Sequence, residues 1–206
     1  MKNKFYLLIF LSCCVSLFSQ KPEKIKFGDT PNFYYRIVPE GKPSGMLIVL
    51  PGGGETPEGV MNQIYLDELA YENNMLVLFP GFEDGDFTME KEQKFMDRIA
   101  KDNVEKYHLS KDRIAIGGLS YGGMLAVKYA EISVRDRSRY FIPKAVFALD
   151  PPLDYENMYY RLRRDIERNV SEVAVNEAKG FIDELVKSLV YPEKNREMYI
   201  REYMFL

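Results

Sequence analysis

The chain has 206 residues, of which 46% are hydrophobic, 14% aromatic and 29% charged. That composition belongs to one core-forming domain and excludes a disordered, collagenous or low-complexity chain. A net charge of −3 without any block of like charges argues against a nucleic-acid groove or a polybasic membrane surface, and the single histidine, His108, excludes a multi-histidine metal site.

Residues 1–19 read as an export signal. Lys2 and Lys4 form a positive start, an apolar stretch follows, and Ser19 offers a small residue at the cleavage point. The run is too short for a membrane-spanning helix. A degenerate lipobox at Leu11-Ser12-Cys13-Cys14 makes a lipoprotein signal the alternative. Either way the reading places the protein outside the cytoplasm, secreted or periplasmic, with residues 20–206 as its one domain. Cys13 and Cys14 leave with the signal, so no disulfide, cysteine nucleophile or thiolate metal site is expected in that domain.

Along the rest of the chain, short apolar runs alternate with longer amphipathic stretches. Residues 33–38 (FYYRIV) read as a strand, and residues 46–50 (MLIVL) as a strand buried on both faces. Thr56-Pro57-Glu58 has the form of a helix start, with a capping hydroxyl, proline at the first helical position and an early acid. One helix is expected from there to about Asn73, with Met61, Ile64, Tyr65 and Leu69 on its inner side. A second buried strand spans residues 75–79 (MLVLF). Thr88 is expected to cap a helix reaching Tyr107, with Met89, Met96, Ile99, Ala100 and Val104 inward. Residues 113–117 (RIAIG) form a third buried strand, followed directly by a helix from Tyr121 to about Ile132. Ala145–Leu149 (AVFAL) reads as a fourth buried strand. The tail is helical in two segments divided near Asn169, the second with Val173, Phe181, Leu185 and Leu189 on its core face.

Strands joined by helical crossovers imply an α/β fold, a mostly parallel sheet flanked by helices. Sites in such sheets gather beyond the C-terminal strand ends. Gly118-Leu119-Ser120-Tyr121-Gly122 stands at one of these ends and fits G-x-S-x-G. A nucleophile on a tight strand-to-helix turn has strained backbone geometry, and the residues two before and two after it must lack side chains. The following helix would aim its free N–H groups at a developing oxyanion. A glycine turn that only lets strand and helix pack is the plain alternative. Phosphate-binding loops do not fit, because Ser120 stands where one needs glycine and Gly123 where the other needs lysine. At a second strand end, Gly52-Gly53-Gly54 would let main-chain amides approach a substrate oxygen closely.

These stretches, LIVLPGGGETPEGV (47–60), AYENNMLVLFPG (70–81) and LSKDRIAIGGLSYGGMLA (109–126), resemble the α/β-hydrolase superfamily, and among it secreted esterases of the feruloyl-esterase and polyhydroxybutyrate-depolymerase type. The resemblance covers about residues 33–150. It implies a serine–acid–histidine triad, with Ser120 as nucleophile and the amides of Gly53 or Gly54 and of Tyr121 as the oxyanion hole. Pro51 departs from the histidine that many relatives carry ahead of the glycines. No further apolar strand follows Asp150, so the expected fold is a hydrolase lacking its last strands.

Asp150 ends the Ala145–Leu149 run on the same sheet edge as Ser120 and is the candidate acid, with Asp154 second. Glu55, Glu83, Asp84 and Asp86 lie on loops of that edge. The base is missing. His108 precedes the strand that Ser120 follows, and five residues at ~3.3 Å put about 16 Å between them, against the ~3 Å that proton transfer needs. The reading is therefore a serine esterase impaired by want of a base histidine, needing no cofactor or metal and acting on a small or polymeric ester. The alternative is a non-catalytic module binding glycan or polyester through the same cleft, with Phe82, Phe87, Tyr155 and Tyr159 as exposed contact aromatics. Without further strands, Ala145–Leu149 would also become an exposed apolar edge unless the tail covers it.

Overall fold

The computed structural model describes residues 21–27, 31–64, 66–82 and 89–203. Residues 1–19, read above as an export signal, and Tyr65, Glu83, Asp84, Asp86, Phe87 and Thr88 lie outside the described residues.

Six strands form one sheet: β1 (Glu23–Lys26), β2 (Phe33–Ile37), β3 (Gly45–Leu50), β4 (Met75–Gly81), β5 (Ile114–Leu119) and β6 (Ala145–Leu149). Their spatial order is β1-β2-β4-β3-β5-β6. The four apolar runs of the sequence, β3 to β6, are mutually parallel, whereas β1 and β2 run antiparallel at one side. β1 was not anticipated. Its sequence, EKIK, has one apolar residue in four, and only pairing with β2 makes it a strand.

The helices are α1 (Pro57–Gln63), α2 (Leu66–Glu72), α3 (Glu90–Tyr107), α4 (Tyr121–Arg135), α5 (Tyr155–Arg168), α6 (Glu172–Leu189) and α7 (Arg196–Tyr203). Strand alternation sorts the core into two layers. Met46, Ile48 and Leu50 of β3 join Leu76 and Leu78 of β4 in a cluster with α3, α4 and the tail helices. Val49, Val77 and Phe79 point the other way, toward Val60 of α1 and Ala70 of α2. All five residues expected on the inner stripe of the 88–107 helix are buried, although Met89 is its N-cap rather than a helical residue.

Several expectations fail for identifiable reasons. The single helix after Thr56 is two helices broken at Ile64, whose backbone is extended. Thr56 does cap the first, accepting from the Gly59 amide at 3.1 Å. Leu69 is exposed, and the buried positions are Pro57, Val60 and Ala70. Thr88, the expected cap, lies outside the described residues, and the N-cap position of α3 is Met89, in left-handed conformation and without a side-chain cap bond. The tail adds a third helix, α7. On α6, Leu185 and Leu189 are buried as expected, but Val173 is 78% exposed and Phe181 is half-exposed. A tail helix crossing the sheet ends is covered along only part of its length.

The fourth strand was read as buried, and it is not. β6 is an edge strand of the described sheet and none of its residues is fully buried: Phe147 and Ala148 are partly buried, with Val146 40% and Leu149 48% exposed. An apolar run reports that a strand is hydrophobic, not that a neighbour lies on both sides of it. The tail packs elsewhere: Tyr155, Tyr159, Leu185, Leu189 and Tyr199 enter the α3–α4 layer.

Candidate active site

Ser120 occupies the turn between β5 and α4 with φ 50° and ψ −118°. That is a left-handed φ with a ψ outside the left-handed helical well, a conformation worth ~1–3 kcal/mol of strain for a residue with a Cβ. The surroundings leave no easier path. A Cβ on Gly122 would meet the Pro51 carbonyl oxygen at 2.5 Å and press on the Leu50 carbonyl. One on Gly118 would strike the Leu50 carbonyl and come within 2.8 Å of the Gly122 carbonyl carbon. Both motif glycines are thus required by close backbone packing between β5–α4 and the end of β3. The Ser120 amide donates to the Leu149 carbonyl at 2.8 Å, which ties the turn to β6.

Ser120 is exposed. Met124 makes the first helical bond, to the Ser120 carbonyl at 3.0 Å, so the amides of Tyr121, Gly122 and Gly123 precede the helical ladder at the positive end of α4. The triple-glycine segment lies beside this helix start. A Cβ on Gly53 would be 3.7 Å from the Tyr121 Cβ, so the two segments lie in van der Waals range of each other. Gly53 and Gly54 are exposed, and Gly54 has φ 75°, which a side chain would strain. Glu55 is on this loop, as expected. Its carboxylate accepts the Gly52 amide at 2.9 Å while its own amide bonds the Gly52 carbonyl, and this closes the turn.

Two adjoining cavities open here. One of about 860 Å³ is lined by Ser120, Asp150, Asp154 and α5–α6 residues such as Arg161 and Glu177. The other, of about 600 Å³, is lined by Pro51 to Thr56, Phe82, Tyr121, Gly180 and Glu184. Phe181 borders both. Asp150 is therefore on the Ser120 side, as read from sequence, exposed and at φ 48°. Asp154 caps α5 by accepting the Asn157 amide at 2.8 Å. His108 is at the opposite end of β5, exposed, left-handed, and serves as the C-cap of α3.

Among the aromatics proposed for the binding alternative, Phe82 lines the glycine cavity and Phe87 lies outside the described residues. Tyr155 and Tyr159 are buried in the core and offer no platform. Sequence reading missed Phe181, assigning it to the core. The signal was present: Ala174, Ala178 and Phe181 follow a helical spacing in which two small residues leave space beside one large one. Also missed was Glu92 of α3. It is 2% exposed and accepts the Tyr121 hydroxyl at 3.3 Å, placing a buried acid behind the residue that follows Ser120.

Among the described residues, no group of three or more His, Cys, Asp or Glu is placed to hold a metal ion, and no helix is long and apolar enough to cross a membrane.

No protein-family model matches the chain, and no curated protein does. Solved structures match it in three dimensions. The Francisella virulence factor BioJ superposes with TM-score 0.59 at 16% identity, covering 87% of this chain and 60% of that one. An esterase from Pyrobaculum calidifontis gives TM-score 0.52 at 20% identity, covering 65% and 45%. FphF, a fluorophosphonate-binding serine hydrolase of Staphylococcus aureus solved with substrate bound, gives 0.51 at 20% identity, covering 68% and 60%. This chain thus spans between about half and three-fifths of the length of these structures. The fold is that of the α/β-hydrolases, a mixed, mostly parallel sheet flanked by helices.

Proposed function

We propose that this chain is a serine hydrolase acting on carboxylic esters through an acyl-enzyme on Ser120, with turnover impaired by the want of a base. Within that class we propose the secreted feruloyl-esterase and polyhydroxybutyrate-depolymerase type, exported by residues 1–19 and acting on a small or polymeric ester. The observation that carries the reading is the backbone of Ser120. It is held at φ 50° and ψ −118° by glycines whose replacement would collide with β3, beside a second glycine segment. Strain of this kind persists only where surrounding structure over-determines it, and it belongs to functional turns.

In the proposed reaction the Ser120 Oγ attacks the ester carbonyl carbon. The carbonyl oxygen becomes an oxyanion resting on the amides of Tyr121 and of Gly53 or Gly54. Collapse of this intermediate expels the alcohol and leaves an acyl-serine, which water then cleaves to the acid. Each half needs a group to take a proton from the nucleophile and return it to the leaving oxygen. Asp150 is the proposed acid of the triad, but an acid orients an imidazole and does not replace one. The sequence holds one histidine, at the far end of β5. With no such group in reach, the hydroxyl proton passes to solvent water and the leaving oxygen takes its proton from water, so the amide cradle is the one catalytic aid and turnover is slow.

The same absence favours a second reading, a module that binds glycan or polyester in the Ser120 cleft without cleaving it. A fluorophosphonate probe with mass-spectrometric mapping separates the two. The esterase reading expects a covalent adduct on Ser120, lost in Ser120→Ala, together with weak Ser120-dependent hydrolysis of p-nitrophenyl acetate. An unlabelled serine in a folded chain that retains a polyester fragment sinks the esterase reading and leaves the binding module.

A further inference from the structure

We propose that Glu92 is a positioning residue for the chemistry at Ser120, an inference that rests on the serine-hydrolase reading of that turn. Through the Tyr121 hydroxyl, Glu92 holds the Tyr121 ring as a fixed wall of the glycine cavity and steadies the Tyr121 amide.

Tyr121 is tied at both ends. Its main chain directly follows the strained Ser120, and its amide precedes the helical ladder of α4, whose first bond is made by Met124. Its Cβ is 3.7 Å from where a Cβ on Gly53 would stand. Its ring is partly buried against the α3–α4 layer and lines the cavity that runs from Pro51 to Thr56. Its hydroxyl donates to Glu92 Oε1 at 3.3 Å. The side chain therefore reaches from the nucleophile turn, past the glycine segment, to a second helix. A tyrosine has two side-chain torsions, and a bond at the tip of the ring restrains both. Without that bond only packing keeps the ring from turning into the cavity it lines.

The place of Glu92 suits this task. It is 2% exposed and lies in the first turn of α3, where Gln93 makes the first helical bond, to the Met89 carbonyl at 3.0 Å. The positive end of a helix favours a negative charge, so a carboxylate is tolerated here despite its burial. As an anion it also accepts a hydroxyl more strongly than a neutral group does. An apolar side chain would cost less to bury at this position, but it would give the tyrosine hydroxyl nothing to hold. The bond joins two helix starts, and one of them is the start that follows the nucleophile.

The test is a double-mutant cycle on the full chain, read by the rate at which a fluorophosphonate probe labels Ser120. Tyr121→Phe keeps the ring and loses the hydroxyl, and Glu92→Ala loses the acceptor. Each is expected to slow labelling about ten-fold, and the double variant no further than either alone, since both break the same bond. Glu92→Gln keeps an acceptor and is expected to recover most of the Glu92→Ala loss. Cooperative melting shows that each variant is folded, and Tyr121→Phe, which keeps the packing of the ring, carries the test if Glu92→Ala does not fold. A second readout needs no labelling. The Tyr121 amide signal, seen by NMR in protein with isotope-labelled tyrosine, is expected to broaden or split in Glu92→Ala and to keep its wild-type line shape in Glu92→Gln. A wild type that takes no probe sinks the esterase reading, and the amide signal then decides the role of Glu92 by itself. Labelling unchanged in Tyr121→Phe, losses that multiply in the double variant, a glutamine variant as slow as the alanine one, or a Tyr121 amide indifferent to Glu92→Ala overturns the proposal and leaves Glu92 a structural acid of the α3 start.

Discussion

The two ends of β5 carry residues with nearly the same φ, His108 at 54° before it and Ser120 at 50° after it, yet they are different kinds of structure. His108 has ψ 47°, an ordinary left-handed helix end, with its amide on the Val104 carbonyl and the Leu109 amide on the same oxygen at 3.0 Å. It sits in open surroundings, and glycine or asparagine would serve as well. Ser120 has ψ −118°, lies between two glycines that admit no Cβ, and bonds β6 through its amide. Left-handed φ by itself carries no functional meaning. What separates a cap from a catalytic turn is whether the neighbours forbid every relaxed alternative.

That contrast can be broken most forcefully at Gly122. Gly122→Ala drives a methyl group into the Leu50 and Pro51 carbonyls, and overpacking against backbone is expected to cost about 3 kcal/mol or more. Chemical denaturation should show the loss, and fluorophosphonate labelling of whatever remains folded should fall with it. Retained stability would mean that the β3–β5 approach is looser than it stands here.

A smaller effect of opposite sign is expected at Ser120. Ser120→Gly relieves the strained φ and ψ at some entropic cost in the unfolded chain, for a net gain of about 1 kcal/mol. Ser120→Ala keeps the strain and should differ little from wild type in stability. Both lose the probe adduct. Equal stability of the glycine and alanine variants would show that the turn is not strained.

The smallest change belongs to His108. His108→Gly should raise stability by ~0.5–1 kcal/mol through an easier left-handed cap, and leave labelling at Ser120 unchanged. A labelling rate that fell with this variant would bring His108 into the chemistry and undo the comparison.

Much of the fold was legible because its signals are local. Uninterrupted apolar runs gave β3 to β5 their places in a buried sheet, and the glycines around Ser120 announced a turn that tolerates no bulk. The Thr56-Pro57-Glu58 start is a cap in the structure too. What stayed illegible depends on partners distant in sequence. β1 exists because β2 is there to pair with. Phe181 has the hydropathy of a core residue, and only the path of α6 over the strand ends turns it toward both cavities. Glu92 gave no warning in an acidic helix start, since its meaning comes from the Tyr121 hydroxyl 29 residues away.

Read by itself, the chain settled its apolar strands β3 to β5, the serine turn and the separation of its one histidine from that turn, because chain geometry over a few residues dictates all three. Which strand lies at the rim, which face of the tail is wet and which acid stands behind Tyr121 were decided by tertiary packing. Burial depends on what arrives from elsewhere in the chain, and no local pattern of hydrophobicity encodes the arrival.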